Sequence, residues 1–397
     1  MNNQLVYPRE PLLSASTLIL GLLVWLILII GTFGGALIII LLGFLSYLFT
    51  QSALIARIKG NGVELSAAQF PDLYAQFVAC CQRLNIKNPP HAYLLSGNGV
   101  FNAFATRFLG RNYVVLLSDI VDAMNNHPDG VRFYIGHELG HIRMGHLTGH
   151  LLRWPVLWLP LLGAAYARAC ENTCDRHGLA CSDSPTNAAQ AIACLAAGGQ
   201  RWQQLNLTAY YQQAQISSGF WSSFHELIAG YPWITKRIAH VMDREAKLLP
   251  RHKLAYLLAA FVPYTGRLGA GFGVLILIYI VGILAAIAIP AYQDYQTRIK
   301  IATAYQETTE IRTTIAQHYL SYHQIPDSLD SLGIKIHLTN GAQLLLDANT
   351  MMLTLRLEHG ELYLIPEETA DGQINWRCSG SADLKPAVLP PPCRSQH

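Results

Sequence analysis

His137-Glu138-Leu139-Gly140-His141 reads HExxH. On a helix, residues four apart share a face, so His137 and His141 can offer two imidazoles to one metal ion. Glu138 lies beside them, placed to take a proton from a metal-bound water. Zinc lowers the pKa of such a water to about 7, and the resulting hydroxide attacks a peptide carbonyl. Catalytic zinc usually has three protein ligands and an open position, so a third ligand is needed. The layout HExxHxxGxxH does not supply it, because the required Gly and His positions hold Met144 and Leu147. Glu171, in Glu171-Asn172-Thr173-Cys174-Asp175, is the other candidate. One turn further, Asp175 can hydrogen-bond a ligand histidine from behind. The plain alternative for these two acids is a solvated helix face. His146 and His150 continue the first helix and read as surface or packing histidines.

These residues, taken together, resemble the HtpX-type and CAAX-prenyl-protease-type membrane zinc peptidases (metallopeptidase family forty-eight). The resemblance rests on Gly136–His141 followed by Glu171, Cys174, Asp175 and Arg176, and covers roughly residues 57 to 245. It implies one zinc per chain, held by His137, His141 and Glu171, with Glu138 as catalytic base and Asp175 supporting a ligand. Cys174 stands where that family usually has Ala. Asn102-Ala103-Phe104-Ala105 also matches a family motif. The resemblance implies that it forms an edge strand beside the zinc, where a substrate backbone can pair. The family usually carries His-Pro and then Arg; here the pair is Tyr231-Pro232, with Arg237 following. Tyr231, His225 and Arg237 are therefore the candidates for transition-state support.

The elements that must position these residues include membrane spans. The chain is 51% hydrophobic and 13% charged, against about 25% charged in soluble domains. Pro11 to Ala56 contains no charged residue, too long for a signal-peptide core or a single span. Gly31–Gly35 reads as a turn, predicting spans at about 14–30 and 35–52. One long tilted helix is the alternative. Leu268 to Gln293 is again uncharged, and its 26 residues at 1.5 Å each exceed a hydrocarbon core of about 30 Å. Leu151–Ala167 is apolar but interrupted by Arg153, Pro155 and Pro160. It reads as a buried or interfacial arm, with a re-entrant or spanning element as the alternative. Arg57 and Lys59 follow the second span, and Arg251, Lys253 and Arg267 precede the third. The positive-inside rule then places the region between them in the cytoplasm of a bacterial inner-membrane protein. The net charge is +3 and no basic cluster carries interleaved aromatics, which argues against nucleic acid as a partner.

Between the spans, Leu65–Leu84 predicts an amphipathic helix, and His91–Leu95 and Tyr113–Ser118 predict strands. Asp119–Asn126 and Val131–Thr148 predict further helices. The part after the third span has its own character. Gly282–Tyr295 resembles the N-terminal helix of a type IV pilin, and residues 295–319 fit its amphipathic continuation. Four short strands follow, at 343–346, 352–356, 361–365 and 373–377. The pilin pattern ends with a Cys-bounded loop, which Cys378 and Cys393 match. The resemblance covers about residues 269–397 and implies a disulfide between them, allowed in a periplasmic domain. A pilin precursor carries a Glu five residues into its mature helix; that position falls on Gly273, and no Glu lies in Leu268–Tyr292. The domain is therefore expected to stay attached. The other six cysteines show no CxxC spacing and are expected to be free thiols.

The expected architecture is an α+β membrane protein. It comprises an N-terminal transmembrane hairpin (1–56), a mainly helical zincin-type peptidase domain with a small sheet (57–267), and a third span (268–293) leading into a pilin-like periplasmic α+β domain (268–397). The expected activity is that of a zinc endopeptidase. Its partners would be protein or peptide substrates, the lipid bilayer, and pilus or other periplasmic proteins. The rival reading is a type IV pilus-associated binding or assembly component in which the pilin-like part carries the function.

Overall fold

The computed structural model describes residues 3–394 except Phe101, Ser217, Arg267, Leu268 and Asn340. Arg267, the last of the flanking cations, and Leu268, the first residue of the expected third span, therefore lie outside the described residues. The chain is a mainly helical α+β protein and forms two compact units, Met1–Ile278 and Tyr279–His397.

The first unit begins with two long apolar helices, α1 (Glu10–Gly31) and α2 (Ala36–Asn61), joined by a turn through Thr32–Gly35. Both are long and apolar enough to cross a membrane. Helix α1 extends beyond the expected 14–30 at both ends and α2 beyond the expected 35–52 at its C-terminal end, because helical structure continues past the apolar stretch to Glu10 and to Arg57, Lys59 and Asn61. Strand β1 (Val63–Glu64) and helix α3 (Pro71–Arg83) follow. The predicted helix 65–84 starts later because Pro71 occupies its first turn, a position where a missing N–H costs nothing. Strands β2 (His91–Leu95), β3 (Ala103–Phe108) and β4 (Arg111–Leu117) complete a mixed sheet of order β1-β2-β4-β3. Strands β2 and β4 run parallel; β3 pairs antiparallel with β4 and is the outer strand.

Helix α4 (Ser118–Ala123) leads to α5 (Pro128–Arg143), which carries HExxH. Pro128 and Asp129 suit the first turn of α5, a preset φ followed by an acid at the positive helix end. Gly145, at φ +73°, ends the helix: its N–H bonds Ile142 O and the N–H of His146 bonds His141 O. That is the Schellman pattern, and it turns the chain back on itself at His146. After α6 (His150–Leu157), helix α7 (Leu162–Cys181) packs along α5 at close range. A Cβ on Gly136 would lie 2.7 Å from Cys181 Sγ, and one on Gly178 would lie 2.8 Å from the Phe133 ring. The two helices approach this closely only because neither position has a side chain. Helices α8 (Pro185–Arg201), α9 (Leu207–Ile216), α10 (Phe220–Ile228), α11 (Ile234–Met242) and α12 (Lys253–Ala259) complete the unit. The apolar arm predicted at 151–167 thus resolves into α6 and the start of α7, with Trp25 of α1 donating to the Leu151 carbonyl. Phe133, Ile135 and Leu139 of α5 join Ile192 of α8 and Leu116 of β4 in one core.

Helix α13 (Gly269–Tyr322) contains the boundary between the units and the third stretch able to cross a membrane. In the second unit, Ile301, Ala304 and Ile315 on its later turns pack against an antiparallel meander. The meander consists of β5 (Gln343–Leu346), β6 (Leu353–Leu357), β7 (Gly360–Glu368) and β8 (Ile374–Gly380). A disulfide joins Cys378 of β8 to Cys393. The remaining six cysteines are buried and free.

Candidate active site

Helical spacing puts His137 and His141 on one face of α5, and the glycine contacts bring Glu171 of α7 opposite them. Glu171 Oε2 lies 3.3 Å from His137 Nε2, and Oε1 lies 3.7 Å from His141 Nε2. Ligand atoms at 2.0–2.1 Å from a tetrahedral zinc stand about 3.3 Å apart, so this spacing suits three bonds to a shared ion. Behind His137, Nδ1 lies 3.0 Å from Asp175 Oδ1. Asp175 in turn accepts from Arg237 Nε at 2.8 Å and from its terminal nitrogen at 2.6 Å. All of these side chains are buried except that of His141, which is half-buried.

The electrostatics favour a cation between the carboxylates. Burial alone would lower the pKa of His137, but bonds to Asp175 and Glu171 reverse that and push it up to about 10. Burial, aided by the neighbouring His137 and His146, carries His141 down to about 3. Asp175 is held well below the usual carboxylate range: the charge and bonds of Arg237 outweigh its burial. Glu171 is lowered too, since His137 outweighs its burial. Glu171 is thus kept ionised and His141 neutral, the states in which each can ligate a metal, while the raised pKa of His137 shows how strongly Glu171 and Asp175 hold a positive charge between them. Cys174 Sγ also lies within 4.8 Å of nitrogens of His137 and His141. It sits toward the rear of the site, 3.6 Å from His146 Nδ1, whereas both Nε2 atoms face Glu171. The Nε2 side is the one with a carboxylate ligand.

The site opens into a cleft of about 540 Å³. His137, Glu138, His141 and Glu171 line one wall, and Asn102 with Ala103, Phe104 and Ala105 of the outer strand line another. Tyr231, Arg237 and Ile228 close a third side. The far end of β3 is tied to α2: Tyr47 OH donates to the Arg107 carbonyl at 3.3 Å, and Thr106 Oγ1 donates to Gln51 at 3.1 Å. Of the three candidates for transition-state support, Tyr231 and Arg237 reach the cleft. His225 packs its ring on Phe224 and Trp221 and is not among the residues lining the cleft. Sequence spacing gave no hint that Arg237 grips Asp175, 62 residues away. Nor did it point to Arg168, whose guanidinium donates to the carbonyls of Glu226, Leu227 and Ala229. Arg168 sits one turn before Glu171 on α7, so it holds the segment leading to Tyr231 at the cleft. A positive group at the C-terminal end of α10 also complements the helix dipole.

This geometry gathers residues able to hold a metal ion in a mainly helical unit whose first two helices are long and apolar enough to cross a membrane. Residues 67–159 match the model of peptidase family M48, a stretch that includes the outer strand and HExxH. Glu171 and Asp175 lie beyond the matched stretch and come to the site through the packing of α7. The chain is also similar to pilins over part of its length. The fimbrial protein EcpC of Eikenella corrodens is 28% identical over 133 residues, 30% of this chain and 86% of that protein. The type IV major pilin protein PilE1 of Neisseria gonorrhoeae is 38% identical over 60 residues, 15% of this chain and 36% of that protein. A fimbrial protein of Neisseria meningitidis serogroup A is also 38% identical over 60 residues, 35% of its length. The chain thus spans about a third of these neisserial relatives. A region similar to peptidase family M48 and a pilin-like part are joined in one chain.

Proposed function

We propose that this protein is a zinc-dependent membrane endopeptidase. The observation that carries the reading is the set of two Nε2 atoms and one carboxylate at zinc-ligand spacing, opening on a cleft whose opposite wall is an outer strand. His137, His141 and Glu171 would hold one zinc. When bound, zinc would bring a water's pKa to about 7 and polarise the scissile carbonyl. Glu138 takes the proton from the attacking water and delivers it to the leaving amine nitrogen. Asp175, clamped by Arg237, keeps the Nδ1 hydrogen of His137 in place and so leaves Nε2 free to ligate. Asn102–Ala105 offers its backbone to an extended peptide, which orients the scissile bond by strand addition. Tyr231, at the cleft wall, is the candidate to donate to the developing oxyanion.

We assign residues 1–56 to a membrane hairpin, 57–267 to a cytoplasmic peptidase domain and the part after the third span to the periplasm of a bacterial inner-membrane protein. The tie between β3 and α2 supports substrates delivered near the bilayer, such as misfolded membrane proteins or peptides. The experiment is to purify the protein in detergent, measure bound zinc, and compare casein cleavage by wild type and Glu138→Gln. Zinc in both with cleavage only in wild type supports the reading; no zinc in freshly made wild type overturns it. A pilus-associated role is the second reading, favoured by the similarity to fimbrial proteins. Truncation after Asp294 tests it: a pilus phenotype with proteolysis intact would show that both roles exist.

A further inference from the structure

His137 has a carboxylate behind it, but His141 does not follow the same plan. Its Nδ1 faces Nδ1 of His146 at 3.1 Å, and His146 Nε2 faces Glu10 Oε1 at 2.9 Å. We propose that Glu10, at the start of the first membrane helix, is a positioning residue that orients the metal ligand His141 through His146. This inference rests on the zinc reading above.

The argument is one of tautomers. To ligate through Nε2, the atom that faces Glu171, His141 must carry its hydrogen on Nδ1. Only one hydrogen fits between the two Nδ1 atoms, so His146 accepts there and carries its own hydrogen on Nε2. That hydrogen points at Glu10. The carboxylate thus sets the tautomer of His146, which sets that of His141, as Asp175 does directly for His137. Local sequence builds the link: Gly145 in the left-handed region closes the Schellman turn that brings His146 back beside His141.

The burial of Glu10 needs such a partner. It is 4% exposed, and among the described residues its Oε2 has no hydrogen-bond partner, leaving His146 as its anchor. The segment before it is fastened to the helix that bears Glu171. Tyr7 N–H donates to Thr173 Oγ1 at 2.9 Å, and Arg176 donates to the Val6 carbonyl at 2.8 Å. The start of α1 is therefore bound to α7, which bears Glu171, and to the turn that ends α5.

A rival reading is a second metal held by Glu10, His146 and Cys170, whose ligand atoms lie within 4.8 Å of one another. A metal on His146 Nε2 would move that residue's hydrogen to Nδ1. It would then oppose the Nδ1 hydrogen of a metal-bound His141, two donors 3.1 Å apart. The two sites exclude each other in this geometry, and the one with the cleft prevails.

The test is the rate at which a chelator strips zinc from wild type, Glu10→Leu, Glu10→Gln and His146→Leu in detergent, with thermal melting alongside. The leucine variants should release zinc about 10–100-fold faster, and Glu10→Gln, which keeps an acceptor, only a few-fold faster. If the leucine variants do not fold, Glu10→Gln carries the test. Wild-type release rates in the folded variants, even with lowered melting temperatures, overturn the inference and leave the zinc reading intact. Absence of zinc from wild type overturns both. Two metals per wild-type chain, with a thiolate-to-cobalt charge-transfer band lost in Cys170→Ser after cobalt loading, would replace the relay by the second metal site.

Discussion

The sheet β1-β2-β4-β3 departs from chain order and mixes parallel with antiparallel pairing, whereas β5-β6-β7-β8 is an antiparallel meander in chain order. The first sheet packs into a large core shared with α3, α5 and α8 and turns its outer strand toward the cleft. The second packs on one helix and is stapled by a disulfide. The cysteines follow the same division: six buried free thiols in the first unit, one bonded pair in the second. A large core needs no staple and can carry buried ionic networks that aim catalytic groups. A small core benefits from a cross-link that restricts its unfolded chain.

The sharpest way to break the comparison is Glu138→Gln. It should lower cleavage by 10²–10⁴-fold with zinc retained, since it removes the proposed base and leaves the proposed ligands, while melting of the second unit stays unchanged. Calorimetry with a peptidase assay checks both halves. Glu226 is next. It is fully buried, and Lys236 and Arg251 each reach its Oε2 at 2.7 Å. Glu226→Leu leaves two cations uncompensated and should cost about 3–5 kcal/mol in the first unit, read by denaturant unfolding. A loss below 1 kcal/mol would show that the network does not support the cleft wall.

Replacing both Cys378 and Cys393 by Ser should cost the second unit on the order of 3 kcal/mol and leave proteolysis untouched. Lost proteolysis would contradict the division of labour drawn above. Gly136→Ala should cost about 1–3 kcal/mol by forcing α5 from α7, and here zinc affinity should fall with stability because Glu171 moves away from the histidines. The smallest effect concerns pH. Burial tends to raise the pKa of Glu226, but Arg251 and then Lys236 outweigh it, so its folded value lies below 4.5. Its contribution is thus fully present above about pH 4.5 and is lost as the pH falls through the folded value. Acid unfolding of Glu226→Gln should lose that dependence in the first unit only.

Much of the site was legible in the sequence because helices and strands are local codes. Spacing of four aligned His137 with His141, an apolar run without charge marked α1 and α2, and strand-forming residues marked β2, β4 and the strands of the second sheet, while β1, two residues long, left no signal. The motif Asn102–Ala105 was recognised by resemblance; Ala103–Ala105 lie on the outer strand β3, and Asn102 directly precedes it. The notion that His146 was a surface or packing histidine held only for its burial. Its bonds to His141 and Glu10 depend on a turn and on a partner 136 residues away.

The sequence by itself determined which residues could ligate a metal, which segments are too apolar for water, and which cysteines belong to the second unit. Those properties follow from side-chain chemistry and short-range periodicity. Only the tertiary structure decided that Arg237 clamps Asp175, that Arg168 holds the segment leading to Tyr231, and that Glu10 meets His146. Such pairings join positions tens to more than a hundred residues apart. They are selected by the packing of whole helices, here by the missing side chains of Gly136 and Gly178, and no local pattern encodes the outcome.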